Sequence, residues 1–267
     1  MRLADLRALA LEARRAVTTA RDELPPPVVG SVVVSGMLAE QLARELAQGA
    51  EPGAVNVGEG TAVSGAEVYV HVIAGEPSEA DDALVRGADR RGSPVVIVQL
   101  WPQEDRTAPF VLSPFVVECR TGEGFPVRVI ADRIAESVEQ APALAARVPA
   151  LRDAVSDVVI RESVVHAGFL GAIGARRGAS RPLIAKEQIR MLARLHGMTA
   201  GPAAAEETRV VAGGAALALA ASFALRDAAH RAARVLPAPL VNVAVATAGT
   251  WALAKALRAL ESRIPST

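Results

Sequence analysis

The sequence has a single cysteine, Cys119, so no intramolecular disulfide is open to it. That suits a reducing compartment, and the surrounding run "FVVECR" marks the thiol as a buried strand residue rather than a nucleophile. Aromatic residues make up only 3% of the chain, which leaves few surfaces for bases to stack on. Neither sign of charge is in excess: Lys+Arg and Asp+Glu both number 29. A general nucleic-acid binder needs a basic excess, so that class is excluded. The N-terminal stretch "MRLADLRALALEARRAV" has no uncharged core, which predicts no secretory signal. The four histidines, His71, His166, His196 and His230, have no second His or Cys at ligand spacing, so no metal site is expected. A G-x-S-x-G elbow for Ser/His/Asp catalysis is missing as well.

What is there is apolar and rich in alanine, as suits close-packed helices, and 267 residues allow one large or two modest domains. Residues 1–24 predict an amphipathic helix, with Leu3, Leu6, Ala10, Ala13 and Val17 in one stripe, stopped by "LPPP". From residue 25 the pattern changes. "VVGSVVVS", "AEVYVHVI", "SPVVIVQL" and "FVVEC" are β-branched runs of the kind that form strands covered on both faces, and "GAVNV" is a shorter candidate. Between them lie "MLAEQLARELAQ", "PSEADDALVRGADRRG" with Ser78 as its cap, and "PVRVIADRIAESV", all helical. Alternation of this kind predicts a mostly parallel, nucleotide-fold-like sheet with helices on both faces, over residues 25–140. "QAPALAARVPA" reads as a link. Residues 141–267 then show no strand pattern and predict a helical bundle, with Gly197 as a helix stop. The fold class is therefore α/β followed by all-α.

Ligands of open α/β sheets bind beyond the carboxyl ends of the strands, so "SGMLAEQLA" is the place to seek a phosphate loop. Such a loop is G-x-x-x-x-G-K-[ST], whose amides wrap the phosphates while Lys and a hydroxyl hold the terminal phosphate and Mg²⁺. Counting from Gly36, those last three stations hold Gln41, Leu42 and Ala43. Three of the four defining residues are missing, so no cofactor is expected. Gly36 and the turn glycines Gly122 and Gly124 remain as weak cofactor-binding candidates. Asp81 and Asp82 are read as first-turn caps rather than metal ligands. Trp101 stands where a guanine-reading element would be needed and is expected to pack.

The stretch "SRPLIAKEQIRMLARLHGM", with Gln188, Met191, Leu195 and Gly197, precedes a Gly/Ala-rich segment, a Pro-containing turn and a final Ala-rich helix. Residues 150–260 thereby resemble the YcjF-type helical domain of unknown function, which occurs beside or fused to Era-like GTPases. The resemblance implies that the α/β half corresponds to the GTPase neighbour, although it departs at every nucleotide-binding motif. It carries no catalytic residues over. It also implies membrane association.

Two uncharged stretches bear on that expectation: residues 210–225 are short of a bilayer span, and residues 235–254 include Pro237, Pro239 and Asn242. Gly168, Gly171 and Gly174 recur every three residues and predict close helix packing, with Arg176, Arg177 and Arg181 following in a basic loop. The expectation from the sequence is a non-catalytic, pseudo-GTPase-like scaffold or regulatory protein. It would be cytoplasmic or at the inner membrane, with a protein partner or self-association and no nucleic acid. Two alternatives stand beside it: an NTPase with an unorthodox site using Asp81 or Asp82, and an integral membrane protein anchored by a C-terminal helical hairpin.

Overall fold

The computed structural model describes residues 30–58, 65–102, 115–120, 124–174, 180–204 and 238–261. The expected N-terminal helix, the uncharged stretch 210–225, Gly122 and His230 lie outside the described residues. Five strands form one sheet: β1 (Ser31–Gly36), β2 (Val55–Val57), β3 (Ala66–Ala74), β4 (Val95–Leu100) and β5 (Val116–Cys119). All pairings are parallel and the order is β2-β1-β3-β4-β5. The sheet is continuous because Val, Ile and Tyr fill both its faces; Val33, Val34, Val70, Val96 and Val98 are all fully buried.

Helix α1 (Ala39–Leu46) follows β1, α2 (Glu79–Asp89) follows β3, and α3 (Val127–Ser137) follows β5. Because β2 lies to one side of β1 and β4 to the other side of β3, right-handed crossovers place α1 and α2 on opposite faces. Val85 and Ala88 of α2 pack on Val33, Tyr69, Ile73 and Ile97, all on one face of the sheet. Helices α1 and α3 touch each other, and bury Leu42, Leu46, Ile130 and Ile134.

The stretch expected to be a link is structured. It forms α4 (Ala141–Arg147) and a 3₁₀ turn (Pro149–Leu151), which leads into α5 (Arg152–Gly174). Ala141, Leu144, Ala145 and Val148 recur at three and four residues and are all buried. Pro142 is compatible with a helix because it sits in the first turn. Arg147 ties this segment down: its guanidinium donates to Glu51 Oε2 at 3.0 Å and to the Gly30 carbonyl, and its own carbonyl accepts from the Glu51 amide. One compact unit accordingly runs to Val158, and the helices from Val159 onward belong to a second.

That second unit contains the rest of α5, α6 (Ser180–Ala204) and α7 (Ala238–Glu261). Gly197 does not stop α6. Leu195 and Met198 are both buried, and that burial outweighs the roughly 1 kcal/mol a mid-helix glycine costs. The glycine spacing in α5 does serve close packing. A Cβ on Gly168 would lie 2.8 Å from Thr247 Cγ2, and one on Gly171 would lie 2.8 Å from the Asn242 carbonyl oxygen. Gly171→Ala should therefore destabilise the helical unit by about 1–3 kcal/mol, readable as a lower thermal midpoint, because backbone on the far side cannot step aside.

Candidate functional site

The sheet order reverses between β1 and β3, so the crevice a ligand would use lies beyond their carboxyl ends. Gly36 closes β1 there, with φ 89°. Its missing side chain has a local reason: a Cβ would overlap the Val72 carbonyl oxygen and sit 3.1 Å from His71 Cε1. The next amide, Met37 N–H, donates to the same Val72 carbonyl at 3.0 Å. In a phosphate loop such amides face the anion; here the neighbouring strand takes one. Leu38 then enters α1 in the left-handed region at φ 56°, with no side-chain cap.

The three stations where phosphate chemistry would sit are otherwise occupied. Gln41 hydrogen-bonds Glu45 one turn on, Leu42 is fully buried, and Ala43 is buried. Gly124 is also left-handed, at φ 96°, but nothing lies within 4 Å of where its Cβ would be. β5, the strand that precedes Gly124, stands three strand spacings from β1, roughly 14 Å.

What the sequence reading missed is a chain of hydrogen bonds across this end of the sheet. Ser35 and His71 are paired in register on β1 and β3, on the face that α2 covers. Ser35 Oγ lies 2.9 Å from His71 Nδ1, and His71 Nε2 lies 2.8 Å from Asp81 Oδ1. An ionised Asp81 only accepts, so Nε2 carries a proton, and in the neutral imidazole Nδ1 then accepts from the Ser35 hydroxyl. Asp81 Oδ2 in turn accepts from the Ser78 amide and hydroxyl, each at 2.7 Å, and the Asp81 amide donates back to Ser78 Oγ. That is a capping box, so the expectation that the acids of "SEADD" serve as caps is met at Asp81. Asp82 faces Arg86 at 3.8 Å. Among the described residues no cluster of three or more His, Cys, Asp or Glu side chains is placed to hold a metal.

Ser, His and Asp in sequence of contact suggest a nucleophilic triad, but the geometry serves another purpose. Ser35 and His71 are 2% and 3% exposed, so no substrate carbonyl reaches the hydroxyl. The chain instead satisfies two polar groups inside an apolar sheet and fixes α2 to it. The available signal was one polar residue near the carboxyl end of each apolar strand, Ser35 and His71.

Burial acts upward on the Asp81 carboxyl, but the hydrogen bonds from Ser78 and from His71 outweigh it and hold the pKa below its ordinary value. A folded-state pKa below the unfolded one means stabilisation that is fully present above the unfolded value, near 3.8, and lost as pH falls through the folded value. Asp81→Asn should therefore remove that acid-range dependence and cost about 1–2 kcal/mol at neutral pH. Denaturant midpoints measured from neutral pH down to acid check both.

Two residues at the same edge differ from expectation or confirm it. Trp101 ends β4 in a left-handed turn at φ 51°, and its amide donates to the Cys119 carbonyl. The ring does not pack as expected: the turn carries it outward and leaves the residue 57% exposed. Cys119 is buried, and burial pushes its thiol pKa up, as suits a structural cysteine.

No protein family, curated protein or solved structure matches the chain.

Proposed function

We propose that this chain is a non-catalytic scaffold or regulatory protein, in which a nucleotide-fold-like α/β unit presents surface and the helical unit docks. The observation that carries the reading is the closed switch-point crevice. Gly36 lies against β3, and the Met37 amide is taken by the Val72 carbonyl. Burial of Leu42 and Ala43 at the stations for Lys and Ser/Thr supports it further. Asp81 and Asp82, the acids an unorthodox NTPase would use for Mg²⁺, contact His71, Ser78 and Arg86. The pseudo-GTPase and YcjF-type correspondence of the two halves belongs to this proposal. Titration of the full chain with GTP, GDP and ATP, each with Mg²⁺, tests it by calorimetry. No saturable heat is expected; Mg²⁺-dependent saturation at micromolar nucleotide would overturn the reading.

One observation favours a second reading, integral anchoring. Within α7, residues Pro239–Ala259 are long and apolar enough to cross a membrane by length and composition. The same helix holds a buried hydrogen bond from Gln188 to Thr250 at 3.1 Å, as a helix packed among protein neighbours does. Alkaline carbonate separates the two: an anchored chain stays with the membrane pellet and a peripheral one is released.

A further inference from the structure

Helices α5 and α7 run antiparallel. Gly171 lies against Asn242 and Ala246, Gly168 against Val243 and Thr247, and Ser163 reaches the level of Thr250 through Glu187 and Gln188. At about 100° a residue, the exposed arc of each helix begins on the same rotational side of those contact positions. In an antiparallel pair, arcs of the same sense open onto one side, so α5 and α7 share one outward face. The two columns of that face differ in size. α5 contributes Val165, Phe169 and Ile173, one every four residues, which are 63%, 65% and 55% exposed. α7 contributes Ala244 and Ala248 at the same spacing, between Leu240 and Trp251. The glycine contacts set Phe169 about level with Ala244, and Val165 with Ala248. A row of large side chains therefore runs beside a row of small ones.

Toward the start of α5 and the end of α7 the face is charged and mixed in sign. α5 exposes Asp157, Arg161 and Glu162, and α7 exposes Lys255, which lies over the Trp251 ring, 5.6 Å from its centre. His166 is exposed as well, but it faces Glu187 of α6 at 3.7 Å and so marks the flank away from α7. Such a face fits itself. A two-fold axis parallel to the helices sets α5 of one copy on α7 of the other, level for level, and makes the same contact twice. Large residues then meet alanines, whose small size leaves room for them. Lys255 comes beside Glu162 of the other copy, and Arg161 beside its Trp251 ring, so opposite charges and a cation–π pair align. Val165, Phe169, Ile173, Leu240 and Trp251 together expose roughly 600 Å² on each copy, or about 1,200 Å² for the pair, the size of a specific interface.

We propose that the shared face of α5 and α7 is a homodimer interface, in which the row Val165, Phe169 and Ile173 of each copy packs on the alanine row of the other. It rests on the reading of the helical unit as the docking element, and names a second copy of the chain as what it docks to.

Sedimentation velocity of the full chain over a range of concentrations, with no lipid present, tests this. A monomer–dimer equilibrium is expected. Phe169→Ser removes an anchor from both copies, so the dimer Kd should rise about a hundredfold. Ala244→Phe adds apolar surface but fills the space that Phe169 needs, and should weaken the dimer too. Lys255→Glu and Glu162→Lys should each weaken it several-fold by placing like charges together. Mixing those two variants should restore a dimer, because α5 of each then meets an opposite charge on α7 of the other. A monomer at every concentration, a Phe169→Ser dimer as tight as the parent, a tighter Ala244→Phe dimer, or no recovery on mixing would overturn the proposal. None of these outcomes bears on nucleotide titration, so failure here leaves the non-catalytic reading standing.

Discussion

Gly36→Ala should destabilise the α/β unit by about 3–5 kcal/mol, because two penalties combine at one atom. The residue sits at φ 89°, where a side chain is strained whatever the space around it. The added methyl would also overlap the Val72 carbonyl, a backbone atom held by the sheet. Gly53→Ala supplies the control. Gly53 has a similar φ of 75° but open space around it, so only the conformational cost of about 1–2 kcal/mol applies. Urea denaturation of the two variants reads the difference. If the β1–α1 turn stood away from β3 in solution, as a phosphate-cradling loop does, the two substitutions would cost the same.

Leu42→Lys should be the most damaging single change at this end of the sheet, at about 4 kcal/mol or more. It restores the residue type a phosphate loop would carry at that station. Leu42, however, is fully buried on the side of α1 that packs on the sheet, so the new ammonium loses its water and gains no anion. Leu42→Met keeps volume and polarity and should cost under about 1.5 kcal/mol. Denaturant midpoints and the soluble yield of the two variants check the contrast. A stable Leu42→Lys chain that had also gained affinity for nucleotide would show that the station faces a cleft.

The strands were legible because burial on both faces demands β-branched residues without alternation, and β1, β3 and β4 have them. The cap of α2 was legible because Ser78 and Asp81 act over three residues, within reach of a local reading. Local reading failed where distant residues decide. "QAPALAARVPA" contains two prolines and looks like a connector. Arg147 and the buried face of α4 make it part of the α/β core through Glu51 and Gly30, about a hundred residues earlier. Gly197 carries a stop signal that the burial of Met198 overrides. His71 looked like an isolated strand histidine because its partners are 36 residues before it and 10 after it. The missing Lys at Leu42 was plain in the sequence; that the turn closes on β3 was not, because the Val72 carbonyl leaves no trace in residue type.

The Ser35–His71–Asp81 chain has a kinetic consequence. The first turn of a surface helix ordinarily frays, and its amides exchange with solvent far faster than those of the sheet beneath. Here fraying of α2 would strand the His71 Nε2–H, buried in the sheet, without its acceptor, and leave only the Ser35–His71 bond of the chain in place. Opening the helix end therefore costs a buried polar group its partner, which ordinary fraying does not. The amides of Asp81 and Asp82 should exchange with deuterium about as slowly as those of β3, and His71→Phe should release the helix end while the strands stay protected.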